Sequence, residues 1–389
     1  MRAEKTAIAD AVERLGDDLE RLSRTIHDHP ELGYEEFKAC GWISEFLDRQ
    51  GFRVEKGIAG VDTAFRATLD AGDGPTIAIL CEYDALPGIG HACGHNVIAT
   101  AGAGAGAALA AIRSALPGGR VLVIGTPAEE GGGGKIKLIR GGVFAGVDAA
   151  MMIHGFDRTL LHQDLLGIVR AGFEFKGKAS HASADPWEGV NALDACIQMF
   201  NNVAMLRQQT RPGCRIHGII THGGAAANII PEHAAAMFYV RAPRIDQMRD
   251  LYRRVLACAE GAALATGATL SVTEHDNVYE PLTSNPVLLD LFAANMATVG
   301  LKEGDAIPDR LGSSDIGNVS RVVPAIQPMI EIAPPGTAIH TREFAAAAVA
   351  PLARAGMLAA AKTMAMTTFD LLADPAKVQA ARDAFTRRD

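Results

Sequence analysis

Apolar residues Val12, Leu15, Leu19, Leu22 and Ile26 recur at steps of three and four, which is one face of a helix. His29-Pro30 ends it, because a residue before proline is pushed out of the helical region. A second helix is expected over residues 35–50, closed by Gly51. Three continuous β-rich runs follow, Thr76–Cys81, Arg120–Gly125 and residues 149–153, with helical stretches at 97–116 and 136–141 between them. Strands alternating with helices predict an α/β sheet, at least partly parallel and covered on both faces.

The pattern changes near Leu165. Residues 167–177 are strand-like, 188–209 helical, 215–223 and 233–241 strand-like, 246–265 helical and Thr269–Glu274 strand-like. That β-α-β-β-α-β order is the split βαβ arrangement of a small four-stranded domain. After Tyr279-Glu280-Pro281 strand and helix pieces resume, and Ala-rich helices run from about Glu343 onward. The expected organisation is a catalytic domain (1–168 and 279–389) interrupted by an inserted domain (169–278). If the inserted domain acts as a lid, hinges are expected near residues 166–167 and 279–281.

Composition narrows the class. With 48% apolar and 21% charged residues over 389 positions, the chain builds a large core and needs no disulfides to hold it. A net charge of −8 disfavours a nucleic-acid partner. The six cysteines are scattered without a CxxC pair, which predicts reduced thiols in a cytoplasmic setting. The charged, amphipathic N-terminus does not read as a signal peptide. The longest uncharged apolar run, 96–112, is rich in Gly and Ala and short for a membrane span, so a buried helix is expected there and no membrane partner.

The densest polar cluster, residues 81–96, follows directly on a strand, where open α/β sheets collect functional groups. Within it Cys93-Gly94-His95 places two metal-ligand types two residues apart; the plainer reading is a buried thiol beside a capping group. A second cluster, Pro127-Ala128-Glu129-Glu130 followed by four glycines, also follows a strand end. Adjacent side chains of an extended segment point apart, so Glu129 and Glu130 are able to serve different partners; a solvated acidic turn is the alternative. A phosphate cradle is disfavoured by the two carboxylates and the absent P-loop spacing. Single histidines such as His154 and His340 are more often structural than ligating. Taken together, Cys93, His95, Glu130, His154 and His340 make one ligand too many for a single tetrahedral site and suit two metals sharing a bridge, with Glu129 left as acid/base.

These motifs, with His29-Pro30-Glu31-Leu32-Gly33, Asp84-Ala85-Leu86-Pro87 and His91-Ala92-Cys93-Gly94-His95, make the chain resemble the co-catalytic di-metal peptidases and amidohydrolases that include aminoacylase, carboxypeptidase G and succinyl-diaminopimelate desuccinylase. The nearest branch holds the B subunit of aminobenzoyl-glutamate hydrolase and the auxin-conjugate and hippurate amidohydrolases. The resemblance implies a zinc-peptidase-like catalytic domain with a mixed sheet flanked by helices and an inserted βαββαβ lid/dimerisation domain. It implies two divalent ions, Zn or Mn, on Cys93 (the bridge), His95, Glu130, His154 and His340, with Glu129 as general base and Asp84 orienting a ligand. His181 matches the histidine that reaches across a homodimer to the scissile carbonyl, and Asn228 and Arg241 match a pair that holds a substrate carboxylate. Read alone, these three fit a solvated turn, a turn cap and a strand-end charge equally well.

Two departures matter. Asn96 stands where the auxin-conjugate branch usually has Asp, and Ser314 where it usually has Glu; both look more like the aminobenzoyl-glutamate hydrolase branch and its dipeptidase-like relatives. The expected activity is hydrolysis of an N-acyl amino acid, an aminobenzoyl-glutamate-like amide or a dipeptide with a free carboxylate. A dipeptidase, a non-catalytic metal-binding regulatory member and a thiol enzyme using Cys93 are the alternatives.

Overall fold

The computed structural model describes residues 3–307 and 311–387. By contacts the chain divides into two compact units. One runs to Gln163 and resumes at Leu282 and again at Asp315; the other takes Asp164–Pro281 and the residues up to Ser314.

The first unit opens with helices α1 (Ala3–Arg14) and α2 (Gly16–Asp28). A single helix is expected there, and the structure breaks it at Leu15. Hydrogen bonds from Leu15 N–H to Ala11 and from Leu19 N–H to Leu15 bridge the break, so Ile8, Val12, Leu19, Leu22 and Ile26 stay on one buried face. Helix α3 (Phe37–Arg49) leads to strands β1 (Arg53–Lys56), β2 (Phe65–Asp70) and β3 (Thr76–Cys81). Then come α4 (His95–Ala111), β4 (Arg120–Gly125), α5 (Gly134–Arg140), β5 (Ala149–Met151) and β6 (His154–Phe156). Helix α4 is the Gly/Ala-rich run and is buried over nearly its whole length. Its small residues permit close packing: a Cβ on Gly102 would lie 2.6 Å from Cys81 Sγ on β3, and one on Gly106 2.5 Å from Val123 on β4.

The second unit is built in the order β7 (Gly167–Lys176), α6 (Ala192–Leu206), β8 (Arg215–His222), β9 (His233–Ala242), α7 (Ile245–Thr266), β10 (Thr269–Glu274). Its antiparallel sheet has the order β10-β7-β9-β8. Strand β9 alternates strictly between buried and half-buried positions, as one covered face requires. Phe173, Phe175, Phe238 and Val240 point into that face and pack with Met199 of α6 and Val255 of α7.

The first unit resumes with α8 (Pro286–Val299), α9 (Ile316–Val322), β11 (Ala325–Ile326), β12 (Met329–Glu331), α10 (Arg342–Ala347), α11 (Pro351–Ala373) and α12 (Pro375–Thr386). Its main sheet has the order β1-β2-β4-β3-β5-β11, antiparallel at β1-β2-β4 and parallel from β4 to β11. Residues 149–153, expected as one strand, instead end at Met151, and β6 pairs separately with β12. That offset brings His154 to the start of a strand of its own.

Candidate metal centre and active site

Each candidate ligand is placed by a strand end or a helix start. Cys93 and His95 lead into α4 through Gly94, which has φ 76; a Cβ there would lie 2.7 Å from Ile332 Cδ1, so only glycine makes this turn. Glu129 and Glu130 lie beyond β4, and His154 is the first residue of β6. His340 is held by its N–H, which donates to Ala92 O at 2.8 Å, and by Thr341, which caps α10. His340 (φ 62) and Ala128 (φ 57) are left-handed without being glycine, a conformation costing about 1–2 kcal/mol per residue. His340 belongs to the candidate site, and Ala128 directly precedes Glu129.

Cys93 with His95 and His154, and Cys93 with Glu130 and His340, form two groups of close donor atoms, and His95 with Glu129 and Glu130 forms a third. Cys93 is common to the first two. Its Sγ lies 3.4 Å from His154 Nε2, and His340 Nε2 lies 3.2 Å from Glu130 Oε1. His95 Nδ1 donates to Asp84, 2.8 Å from its carbonyl and 3.1 Å from Oδ1, which turns Nε2 toward the cluster. That Nε2 is buried with no hydrogen-bond partner among the described residues. Asp84 also accepts the Glu130 N–H at 2.9 Å, so one carboxylate orients two neighbours.

The chemistry of the set fits divalent cations. It offers sulfur, imidazole nitrogen and carboxylate oxygen, the donors zinc-like metals take. Burial, and next the charge of Glu130, push the Cys93 thiol well up, so its ionised form requires a cation beside it. The two adjacent glutamates are driven apart. Burial, then the charges of Glu130, Glu82 and Asp315, push Glu129 well up. Burial also works against ionised Glu130, but its hydrogen bond to His340 and the charge of His95 outweigh it and bring it below the usual value. One carboxylate thus suits proton transfer and the other ligation.

Several residues with no role in the sequence reading support this cluster. Glu36 accepts the N–H of Ala128 at 2.8 Å, and Tyr34 donates its hydroxyl to Gly132 O at 2.6 Å. Together they fasten the loop carrying Glu129. Lys135, fully buried, pairs with Glu82 and, at 2.6 Å, with Asp315. Burial would lower the lysine, but Asp315 and Glu82 overcome it and push it up.

The second unit holds the other three candidates, and it does not bring them together. His181 is exposed; its Nδ1 accepts from the N–H groups of Ser183 and Ala184. Asn228 is its neighbour, its carbonyl accepting the N–H of Ala182 at 3.0 Å. Arg241 sits near the far end of β9, bonded to Ser313 Oγ at 3.0 Å and to His217. Asn228 precedes β9 and Arg241 is eight residues beyond His233, a rise of about 26 Å. One small carboxylate therefore cannot touch both Asn228 and Arg241 of the same chain.

The chain is a hydrolase of amide bonds: residues 65–362 match the model of Peptidase family M20/M25/M40, and the chain belongs to that family. It is 40% identical to a Xaa-Arg dipeptidase of Mus musculus, over 97% of this chain and 90% of the relative. It is 31% identical to the B subunit of p-aminobenzoyl-glutamate hydrolase of Escherichia coli strain K12, over 96% and 92%. A dinuclear metal-binding peptidase of the M20 family from Bacillus subtilis shares the fold at a TM-score of 0.74 and 20% identity, over 93% and 99% of the two chains. No helix among the described residues is long and apolar enough to cross a membrane.

Proposed function

We propose that this chain is a metal-dependent hydrolase of a dipeptide or an aminobenzoyl-glutamate-like amide that carries a free carboxylate. The observation that carries this is the sharing of Cys93 between two donor groups, with Glu129 beside them. The dipeptide is favoured by the 40% identity to a Xaa-Arg dipeptidase along almost the whole chain. Cys93, His95, Glu130, His154 and His340 hold two divalent ions, zinc or manganese. When bound, such ions acidify water and polarise a carbonyl. Glu129 takes the proton of the attacking water as its oxygen bonds to the amide carbon. The same carboxyl then returns that proton to the leaving nitrogen as the C–N bond breaks. Arg241 grips the substrate carboxylate through two parallel N–H bonds.

His181 donates to the developing oxyanion, and Asn228 acts beside it, both from a second copy of the chain. Two features support a homodimer through the inserted domain. His181 and Asn228 lie at the opposite end of β9 from Arg241. Strand β8 pairs only with β9 among the described residues and exposes Ile219 and Ile220. Nothing in this reading involves nucleic acid or a membrane, and the compartment it suits is the cytoplasm.

The test is a hydrolysis screen of Xaa-Arg and other dipeptides, N-acyl amino acids and aminobenzoyl-glutamate, with added zinc, manganese or cobalt. Turnover that a chelator abolishes and metal restores is expected. Turnover indifferent to the chelator but lost on thiol alkylation would point to Cys93 as a nucleophile.

A further inference from the structure

Beside the candidate ligands lies a charged cluster of which the mechanism above uses Glu129 alone. One oxygen each from Glu82, Glu129 and Asp315 lies within 4.8 Å of the others, and all three residues are buried. Three carboxylates this close repel strongly in a medium that screens little. Lys135, also fully buried, stands among them. Its Nζ donates to Glu82 Oε1 and to Asp315 Oδ1, and its backbone N–H donates to Asp315 Oδ2 at 2.9 Å. Asp315 is thereby held through both oxygens by one residue.

The chain positions of these groups give the cluster its meaning. Glu82 follows β3, Asp315 precedes α9, and Lys135 is the second residue of α5. Lys135 closes the same glycine-rich loop that begins at Glu129. The ammonium thus ties that loop to two segments distant in sequence, 53 and 180 residues away. The loop has its other anchor where Ala128 donates to Glu36.

We propose that Lys135 is a positioning residue for the reaction: its ammonium is a fixed internal cation that holds Glu82 and Asp315 and, through them, sets the place of the Glu129 carboxylate. This rests on the reading of Glu129 as the base. A lysine that only filled space would be replaced by methionine at little cost. A lysine that neutralises carboxylates would not, because removing one partner of a buried pair strands the other.

Lys135→Met tests this, since it keeps side-chain length and removes the charge. The expected result is a kcat lower by about 10- to 100-fold, a KM within about twofold, a lower Tm, and a metal content after saturation equal to that of the wild type. Lys135→Met/Asp315→Asn removes the stranded carboxylate as well. Its Tm is expected to exceed that of Lys135→Met, so the two substitutions are coupled rather than additive. If the single variant does not fold, the double variant carries the same test: reduced kcat with KM and metal content kept. Wild-type kcat in Lys135→Met, loss of metal, or additive Tm changes would overturn the proposal. Glu129→Gln separates the two readings. An inactive Glu129→Gln beside a normal Lys135→Met removes only the role of Lys135; full turnover in Glu129→Gln removes the base, and this proposal with it.

Discussion

The two units hold their candidate residues in opposite ways. In the first, Cys93, His95 and His154 are buried, Glu130 is half-buried and His340 exposed, and neighbours already orient them: Asp84 holds His95 and Glu130, and Glu36 holds the loop before Glu129. In the second, His181 is exposed, Asn228 lies in a turn ahead of β9, and Arg241 sits near the far end of that strand. A pre-organised centre and a set of groups that one chain leaves apart call for different experiments. The first is to be damaged one residue at a time, the second rebuilt from two chains.

The largest effect is expected at Glu129. Glu129→Gln keeps the fold and metal content, read by circular dichroism and elemental analysis, and lowers kcat by about 10³-fold. Turnover near normal would take the base out of the first unit altogether. His181→Ala comes next, with a loss in kcat of about 10²–10³-fold, the cost of one oriented donor to an oxyanion. Mixing His181→Ala chains with Glu129→Gln chains should restore activity, since one of the two mixed sites is then intact. No recovery would return His181 to its own chain and erase the contrast between the units. Arg241→Ala should raise KM for a carboxylate substrate about 10- to 100-fold, the worth of a charged hydrogen bond, while kcat changes little. An unchanged KM would place the anchor elsewhere.

The smallest effect concerns Glu36, which belongs to the pre-organised side of the comparison. Burial first, then the charge of Asp84, raise its carboxyl from 4.5 to about 7. A raised carboxyl stabilises the fold fully below its unfolded value and loses that contribution as pH rises through the folded one. Glu36→Gln resembles the protonated form at every pH. Its stability relative to the wild type should therefore climb between pH 4.5 and about 7, by at most about 3 kcal/mol, and stay flat on either side. Urea unfolding at a series of pH values reads this, and a pH-independent difference would show that Glu36 ionises freely.

Much of the first unit is legible in the sequence because its signals are local. Strands at Thr76–Cys81 and Arg120–Gly125 coincide with the continuous β-rich runs. Cys93-Gly94-His95 and Glu129-Glu130 are each close neighbours in the chain, and the structure joins them to His154 and His340. The βαββαβ order of the inserted unit likewise follows from alternation and periodicity. What the sequence conceals depends on distant pairs. Lys135 meets Asp315 across 180 residues, and nothing near either one marks the pairing. In the sequence Lys135 is only the end of a glycine run lacking P-loop spacing. Glu36 sits close to His29-Pro30-Glu31-Leu32-Gly33, yet its bond to Ala128 spans 92 residues. Asn228 and Arg241 are paired by the family resemblance, and the extension of β9 lies between them.

The most direct test of the di-metal centre is elemental analysis of the purified chain after saturation with zinc or manganese and removal of excess. About two ions per chain are expected in the wild type, with loss of both in Cys93→Ala because the thiolate belongs to both donor groups. A wild-type chain that keeps no ion, or a Cys93→Ala chain that keeps two, would contradict it.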